Sequence, residues 1–281
     1  MTEPTGDPDR EPDPRQPPAY GQYAAGGPPP ASPPVPPDAL RPGGWSGGSG
    51  RPGGGVSVGQ AFSWAWSSFA RSAGPWIGAT VVVGAIALAA AVLLTPDFRA
   101  IVENYDEPNA ITEAVTAGAS VLDVLLGALL AVVEIVVGSL LAHGALVATR
   151  RGRAVFGDFF AVRNLGGIVV LGLINGALTF VLAFIPFLGG LLRLVIGFFL
   201  AASLFFAIDR GQDALAAIRS SVALVSRNPG VVLLTLVVAI ALLFVGALLL
   251  VVGTLVTVPL AILTGAFVYR RLVGEQPVAP V

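Results

Sequence analysis

Four side chains able to do chemistry stand inside otherwise apolar runs: Asp123, Glu134, Asn175 and Arg193. Glu134 is the most exacting of them. A bare carboxylate at the centre of a membrane span costs about 2.5–3.5 kcal/mol on insertion scales, so an acid there is expected to face protein or water, or to be held protonated. Two chemistries follow. Glu134 could be a proton- or cation-linked group in a transport path, or a hydrogen-bonded carboxyl that joins helices. Asn175, about midway along the third apolar run, is its expected partner. Asp123 and Arg193, both near the same face of the bilayer, are expected to form a structural ion pair. At 100° per residue, Asp123, Gly127, Glu134, Gly138 and Ala145 share a narrow arc, a stripe of small and acidic residues suited to close helix contact. His143 falls on the opposite side of that helix from Glu134, so the two do not pair.

The elements that must position these residues are written in the composition. Of 281 residues, 54% are hydrophobic and only 12% charged, where a soluble domain carries about 25% charged residues. Six apolar runs, at about 77–94, 120–147, 167–185, 191–208, 231–252 and 254–269, are long enough to cross hydrocarbon of about 30 Å at 1.5 Å per residue. The expected fold is all-α and integral to a membrane. The absence of cysteine excludes disulfides and thiolate catalysis. A single histidine and no clustered ligands argue against a metal. No cofactor and no nucleic-acid partner are implied, and no nucleophile–base pair or phosphate loop suggests an enzyme. Ser220-Ser221 reads as a helix face.

The runs are organised in three modules, each an interfacial amphipathic segment, a break of the form Arg-x-x-Gly, and a two-span hairpin. The breaks are Arg71 to Gly74, Arg163 to Gly166 and Arg227 to Gly230. In the first module, Ser57 and Gln60 have capping-box spacing. Val58, Phe62, Trp66 and Phe69 line one face of a helix over 57–71, with Trp64 to the side. In the second, a short amphipathic piece covers 155–162. In the third, Leu215, Ile218, Val222 and Val225 make the apolar face of a helix that stops before Pro229. The third span contains Gly172-x-x-x-Gly176, a packing signature. In the sixth, Pro259 follows Thr257, whose hydroxyl can compensate a freed carbonyl.

Residues 1–55 hold 15 of the 23 prolines and 12 of the 35 glycines. Such a segment is expected to be disordered, either a solubilising spacer or a means of recruiting a cytoplasmic protein partner. Domain organisation is therefore read as a Pro/Gly-rich tail over 1–55, a membrane domain over 56–274 and a short tail over 275–281. The segments before span one, between spans two and three, between spans four and five, and after span six hold nearly all the membrane-proximal arginines, whereas 96–119 is acidic. The positive-inside rule then predicts a cell-membrane protein with both termini cytoplasmic, its amphipathic segments and arginines against anionic membrane lipids.

The string from Phe205 to Val237, followed by that from Gly253 to Gly274, resembles the proline- and glycine-rich transmembrane proteins of actinobacteria. More distantly it is similar to the membrane domain attached to some bacterial glycerophosphodiester phosphodiesterases. Ala217 to Ser221, Arg227-Asn228, Pro259 and Tyr269-Arg270 carry the resemblance, and 59–77 matches the same pattern. The catalytic domain of the phosphodiesterases is absent, so the resemblance implies a membrane module and no activity. The function expected is a non-catalytic partner or scaffold of envelope machinery; the alternative is a transporter of a small or lipid-like solute using Glu134.

Overall fold

A helix satisfies most of its own backbone polar groups, the only economical solution in hydrocarbon short of a closed barrel, and the spans among the described residues are all helical. The computed structural model describes residues 56–95, 120–185 and 187–281. Expectations for the tail over 1–55 and the acidic segment over 96–119 lie outside the described residues. The elements are α1 (Val58–Arg71), α2 (Ala73–Leu94), α3 (Val121–Arg151), a 3-10 turn (Phe156–Phe160), α4 (Leu165–Ala183), α5 (Leu188–Leu200), α6 (Ser203–Asp209), α7 (Ala214–Arg227), α8 (Pro229–Leu248) and α9 (Leu250–Leu272). Six of the resulting helical segments are long and apolar enough to cross a membrane, with α5 and α6 together making the fourth. This is a multi-pass membrane protein.

The last span is the central one. In α9, 61% of the apolar window is buried inside the protein, against 17–28% in the other five. It packs against α8, α1, α3 and α2. It is also the least hydropathic of the six, because a helix shielded from lipid by its neighbours can carry Thr257, Thr264 and Arg270 at low exposure. The Thr257 hydroxyl donates to the Gly253 carbonyl at 3.1 Å, two residues before Leu255, whose carbonyl is the one that Pro259 leaves without its i+4 partner. The expected start of this span at 254 moves back to Leu250, and the second span extends to Arg151.

The second span is the longest at 31 residues, about 46 Å, which exceeds the hydrocarbon thickness. The excess is covered by protein. Phe159 lies over Gly144, and its ring meets Trp76 edge-on at 4.8 Å. The C-terminal residues, which composition marks only as a short tail, lie along the same end: Val278 N–H donates to the Thr149 carbonyl at 2.8 Å, and Trp64 Nε1 donates to the Val278 carbonyl at 2.9 Å. Gly152 ends α3 at φ 77°, and an added Cβ would stand 2.5 Å from the Ala279 carbonyl oxygen. Glycine is required there twice over.

The expected Gly172/Gly176 contact is present. Gly172 meets Val132, and a Cβ on Gly176 would fall 2.7 Å from the Ala128 carbonyl oxygen. These two contacts also fix the antiparallel register of α3 and α4.

The repeated break is present in the backbone. Ser72 (φ −134°, ψ 35°) and Asn228 (φ −136°, ψ 47°) have nearly the same conformation, each following a 14-residue helix that ends on an exposed arginine, Arg71 or Arg227. Each donates from its backbone three residues back, Ser72 to Phe69 and Asn228 to Val225, both at 3.0 Å. Each side chain also donates four back, Ser72 to Ser68 at 2.8 Å and Asn228 to Leu224 at 3.0 Å. The middle copy differs. Its amphipathic piece is the five-residue 3-10 turn, and Asn164 caps α4 by accepting from Gly167 N–H while donating to the Ala207 and Gln212 carbonyls. The glycines of the motif are not what makes the break: Gly74, Gly166 and Gly230 are helical, and a Cβ on any of them meets nothing within 4 Å. Alanine at each is therefore expected to leave the melting temperature unchanged or raise it, by no more than about 1 kcal/mol of stability, the helix-propensity difference.

The two long amphipathic helices turn inward a face that only partly overlaps the expected one, with Val58 and Phe69 of α1 and Val225 of α7 common to both. In α1 the buried residues are Val58, Ala61, Trp64, Ala65, Ser68 and Phe69, while Trp66 is 52% exposed. In α7 they are Ala214, Ala217, Ser221 and Val225, with Leu215 and Val222 exposed. Small residues let backbones approach closely, and large apolar ones lose nothing by facing lipid.

Candidate functional site

The structure separates the residues expected to act together. Glu134 is exposed on the outer surface of the bundle. The α3–α4 register sets it level with about residue 170, whereas Asn175 lies level with about residue 129, some 7 Å away along the helix axis. Glu134 and Asn175 are not partners. The stripe to which Glu134 belongs is only partly packed: Ala145 is buried, but Gly127 and Gly138 have open space where a side chain would be. Asp123 is not paired with Arg193. It completes a capping box at the start of α3, its carboxylate accepting from Ser120 N–H at 2.8 Å and Ser120 Oγ accepting from Asp123 N–H at 3.2 Å. Arg193 instead donates to the Thr179 hydroxyl. His143 Nδ1 lies 2.7 Å from the Asp158 carbonyl oxygen and tethers the 3-10 turn.

What the structure does bring together is Asn175 and Arg193, in a cavity of about 300 Å³ beside the fourth span. That span is broken, not the single helix expected. α5 ends at Leu200 and α6 begins at Ser203, with no proline or glycine at the junction. Hydroxyls splice the break. Ser221 of α7 donates to the Phe199 carbonyl at 2.7 Å and accepts from Ala202 N–H at 3.1 Å. Ser203 donates to the Leu200 carbonyl at 2.6 Å. Interrupted helices in membranes persist where such partners satisfy the freed groups, and they commonly border a binding cavity.

Two cavities meet at this break. One, between α4, α5 and α6, is lined by Asn175, Arg193, Gly197 and Ser203 among apolar residues. The other, about 280 Å³ between α6, α7, α8 and α9, is walled by Phe205, Leu236, Ile262 and Tyr269 and is almost wholly apolar. Ala201 lines both. A mostly apolar space of this kind suits a hydrocarbon chain, and the one charged side chain lining either cavity is Arg193.

A second constellation lies at the arginine-rich end of the bundle. Asp209, its side chain 2% exposed, receives a bidentate pair from Arg270, Nη2 to Oδ1 at 2.7 Å and Nη1 to Oδ2 at 2.9 Å. Arg150 also donates to it, and Tyr269 Oη does so at 3.2 Å. Arg270 further donates from Nε to Thr149 at 3.1 Å and from Nη1 to Glu275. Two arginines and two carboxylates thus tie α3, α6, α9 and the C-terminal segment at one point. Sequence reasoning placed the arginines of this end against lipid headgroups and Glu275 in the short tail. The one available signal was that Asp209 and Arg270 each directly end an apolar span. Asp213, by contrast, caps α7, accepting from Ala216 N–H at 2.9 Å.

No family model matches the chain, and no solved structure matches it. It is similar to uncharacterised proteins of Mycobacterium bovis and of two strains of Mycobacterium tuberculosis, each 30% identical over 243 residues that cover 81% of this chain and 72% of the relative. An identity at that level over most of both chains places this six-span protein, with its broken fourth span, in the same family as those uncharacterised mycobacterial proteins.

Proposed function

We propose that the protein is a non-catalytic component of the cell membrane that takes a lipid-like solute from the bilayer and holds it at the broken fourth span, with its arginine-rich end on the cytoplasmic side. The observation that carries this reading is the pair of cavities meeting at Ala201, one apolar and one ending in Arg193 and Asn175. The reading keeps the lipid-like solute of the transporter alternative but moves its site from Glu134, which lines neither cavity, to the junction of α5 and α6.

The test fills the cavities where the backbone has room. Gly265 lines the apolar cavity, and a Cβ there makes only ordinary contact with Phe205 at 3.6 Å; Gly197 lines the other, and a Cβ there meets nothing within 4 Å. Gly265→Leu and Gly197→Leu are expected to leave folding intact and to lower the phospholipid retained by gently solubilised full-length protein, read by native mass spectrometry. Retention unchanged in both variants would remove the basis of the proposal. The scaffold reading, in which residues 1–55 recruit a partner of the envelope machinery, rests on composition and has its own test. Deleting 1–55 would abolish co-purification of that partner and leave lipid retention untouched.

A further inference from the structure

We infer that the cleft between α4, α5 and α6 selects an anionic amphiphile, its phosphate or carboxylate held by Arg193 and its acyl chain lying along the broken span toward Leu204. This rests on the lipid-binding reading above and specifies which end of the ligand goes where.

The depth of Arg193 comes first. Gly172 against Val132 and Gly176 against Ala128 set Thr179 about level with Leu125. Thr179 accepts from Arg193, so the guanidinium sits within about one turn of Asp123 and the capped end of α3. In the proposed orientation that is the level of the outer-leaflet headgroups. A charge there is tolerated when the long side chain reaches the interface, and it is relieved further by a counter-anion.

The second observation is how the arginine is held. Thr179 Oγ1 donates its own proton to the Asn175 carbonyl at 2.8 Å, which leaves its oxygen as acceptor for Arg193. The chain Arg193 to Thr179 to Asn175 thus pins one N–H of a group that carries five. Among the described residues no carboxylate lies within ion-pair distance of Arg193. A planar fork with unspent donors at the mouth of a cavity is the arrangement that takes phosphate or carboxylate oxygens.

The third is shape. From Arg193 to Leu204 the cleft follows eleven residues of α5 and α6, about 16 Å, roughly half the hydrocarbon thickness. It therefore matches one leaflet's depth of acyl chain. Gly197, Ala201 and Ser203 supply the room, and Ile135, Leu178 and Leu204 supply apolar wall.

The experiment compares full-length wild type with Arg193→Gln, Arg193→Lys and Gly197→Leu, each reconstituted in vesicles of phosphatidylcholine mixed with phosphatidylglycerol. Retained lipid is read by native mass spectrometry on the fraction that elutes as folded protein. Wild type is expected to enrich the anionic lipid about tenfold over its zwitterionic counterpart, the scale of one charge-assisted hydrogen-bonded pair. Arg193→Gln should abolish the enrichment while total lipid persists. Arg193→Lys should keep part of it, since charge survives and the fork does not. An unchanged lipid ratio in Arg193→Gln overturns the assignment. So does an enrichment that appears only after Asp97, Glu103, Asp106, Glu107 and Glu113 are changed to amides, which would make the chain's own acidic segment the natural anion. Loss of total lipid in Gly197→Leu with no change of ratio in Arg193→Gln would keep the lipid-binding reading and sink the headgroup assignment alone.

Discussion

Replacing Asp209 with alanine is expected to destabilise the membrane domain by about 3–5 kcal/mol, the cost of leaving a buried ion without its partner. Arg270 is 1% exposed, and removal of the carboxylate leaves it with Thr149 and the half-exposed Glu275. It cannot turn to water, because Tyr269, α3 and the C-terminal segment enclose it. Arg150 is the control. Its side chain is 58% exposed, so Arg150→Ala should cost about 1 kcal/mol or less, as exposed pairs generally do. Thermal unfolding of the detergent-solubilised protein, followed by tryptophan fluorescence, separates the two. Equal losses in both variants would mean that the Asp209 site is wet and the pair is a surface one. Replacing Asp209 and Arg270 together by apolar residues should recover much of the single-variant loss, because the stability of such pairs lies more in not being broken than in being present.

Trp64→Ala should cost about 3–5 kcal/mol, whereas Trp66→Ala should leave fold stability nearly unchanged. The two residues are neighbours in sequence and opposite in environment. Trp64 is 1% exposed and lies 5.5 Å centroid to centroid from Phe267 of the central span. Its indole N–H also holds the C-terminal segment through the Val278 carbonyl. Truncation therefore opens a void between α1 and α9 and releases a buried acceptor. Trp66, at 52% exposure, faces away from the bundle, and its removal should weaken only the hold of α1 on the bilayer surface. Melting measurements give the stability difference. Carboxypeptidase digestion gives the second readout: 275–281 should become susceptible in Trp64→Ala and remain protected in Trp66→Ala. Protection in both would show that the C-terminal segment is held without Trp64.

These two cases mark where sequence reading succeeded and where it could not reach. The six spans and the break after each of the two 14-residue amphipathic helices were legible, because each depends on run length, apolarity and local capping. The Gly172/Gly176 contact was legible for the same reason: close approach needs small residues four apart. The pairings proposed between spans were not. Glu134 with Asn175, and Asp123 with Arg193, were matched by counting residues from the ends of their own helices. The axial offset between neighbouring helices depends on side-chain interdigitation, and α3 is longer than the bilayer it crosses. An offset of about a turn and a half separates Glu134 from Asn175; Asp123 and Arg193 lie at about the same depth, but Asp123 is taken up in capping α3 and Arg193 reaches Thr179. The break at Ala201 and Ala202 escaped notice because it contains no proline or glycine; Ser221, on another helix, stabilises it.

The number of crossings, the helical class and the arginine-rich end follow from the sequence alone, since lipid forbids unpaired backbone and the spans must match its thickness. Which face of each helix turns inward was decided only in three dimensions. In water, burial follows hydrophobicity, and the inward face can be read from its period. In a bilayer, large apolar side chains are as well solvated outside as inside, so close packing selects instead for Ala61, Ala65, Ala217 and Ser221. The same physics left the cavities at the fourth span for the tertiary structure to reveal: they exist where small residues on α5 and α6 fail to be filled by their neighbours.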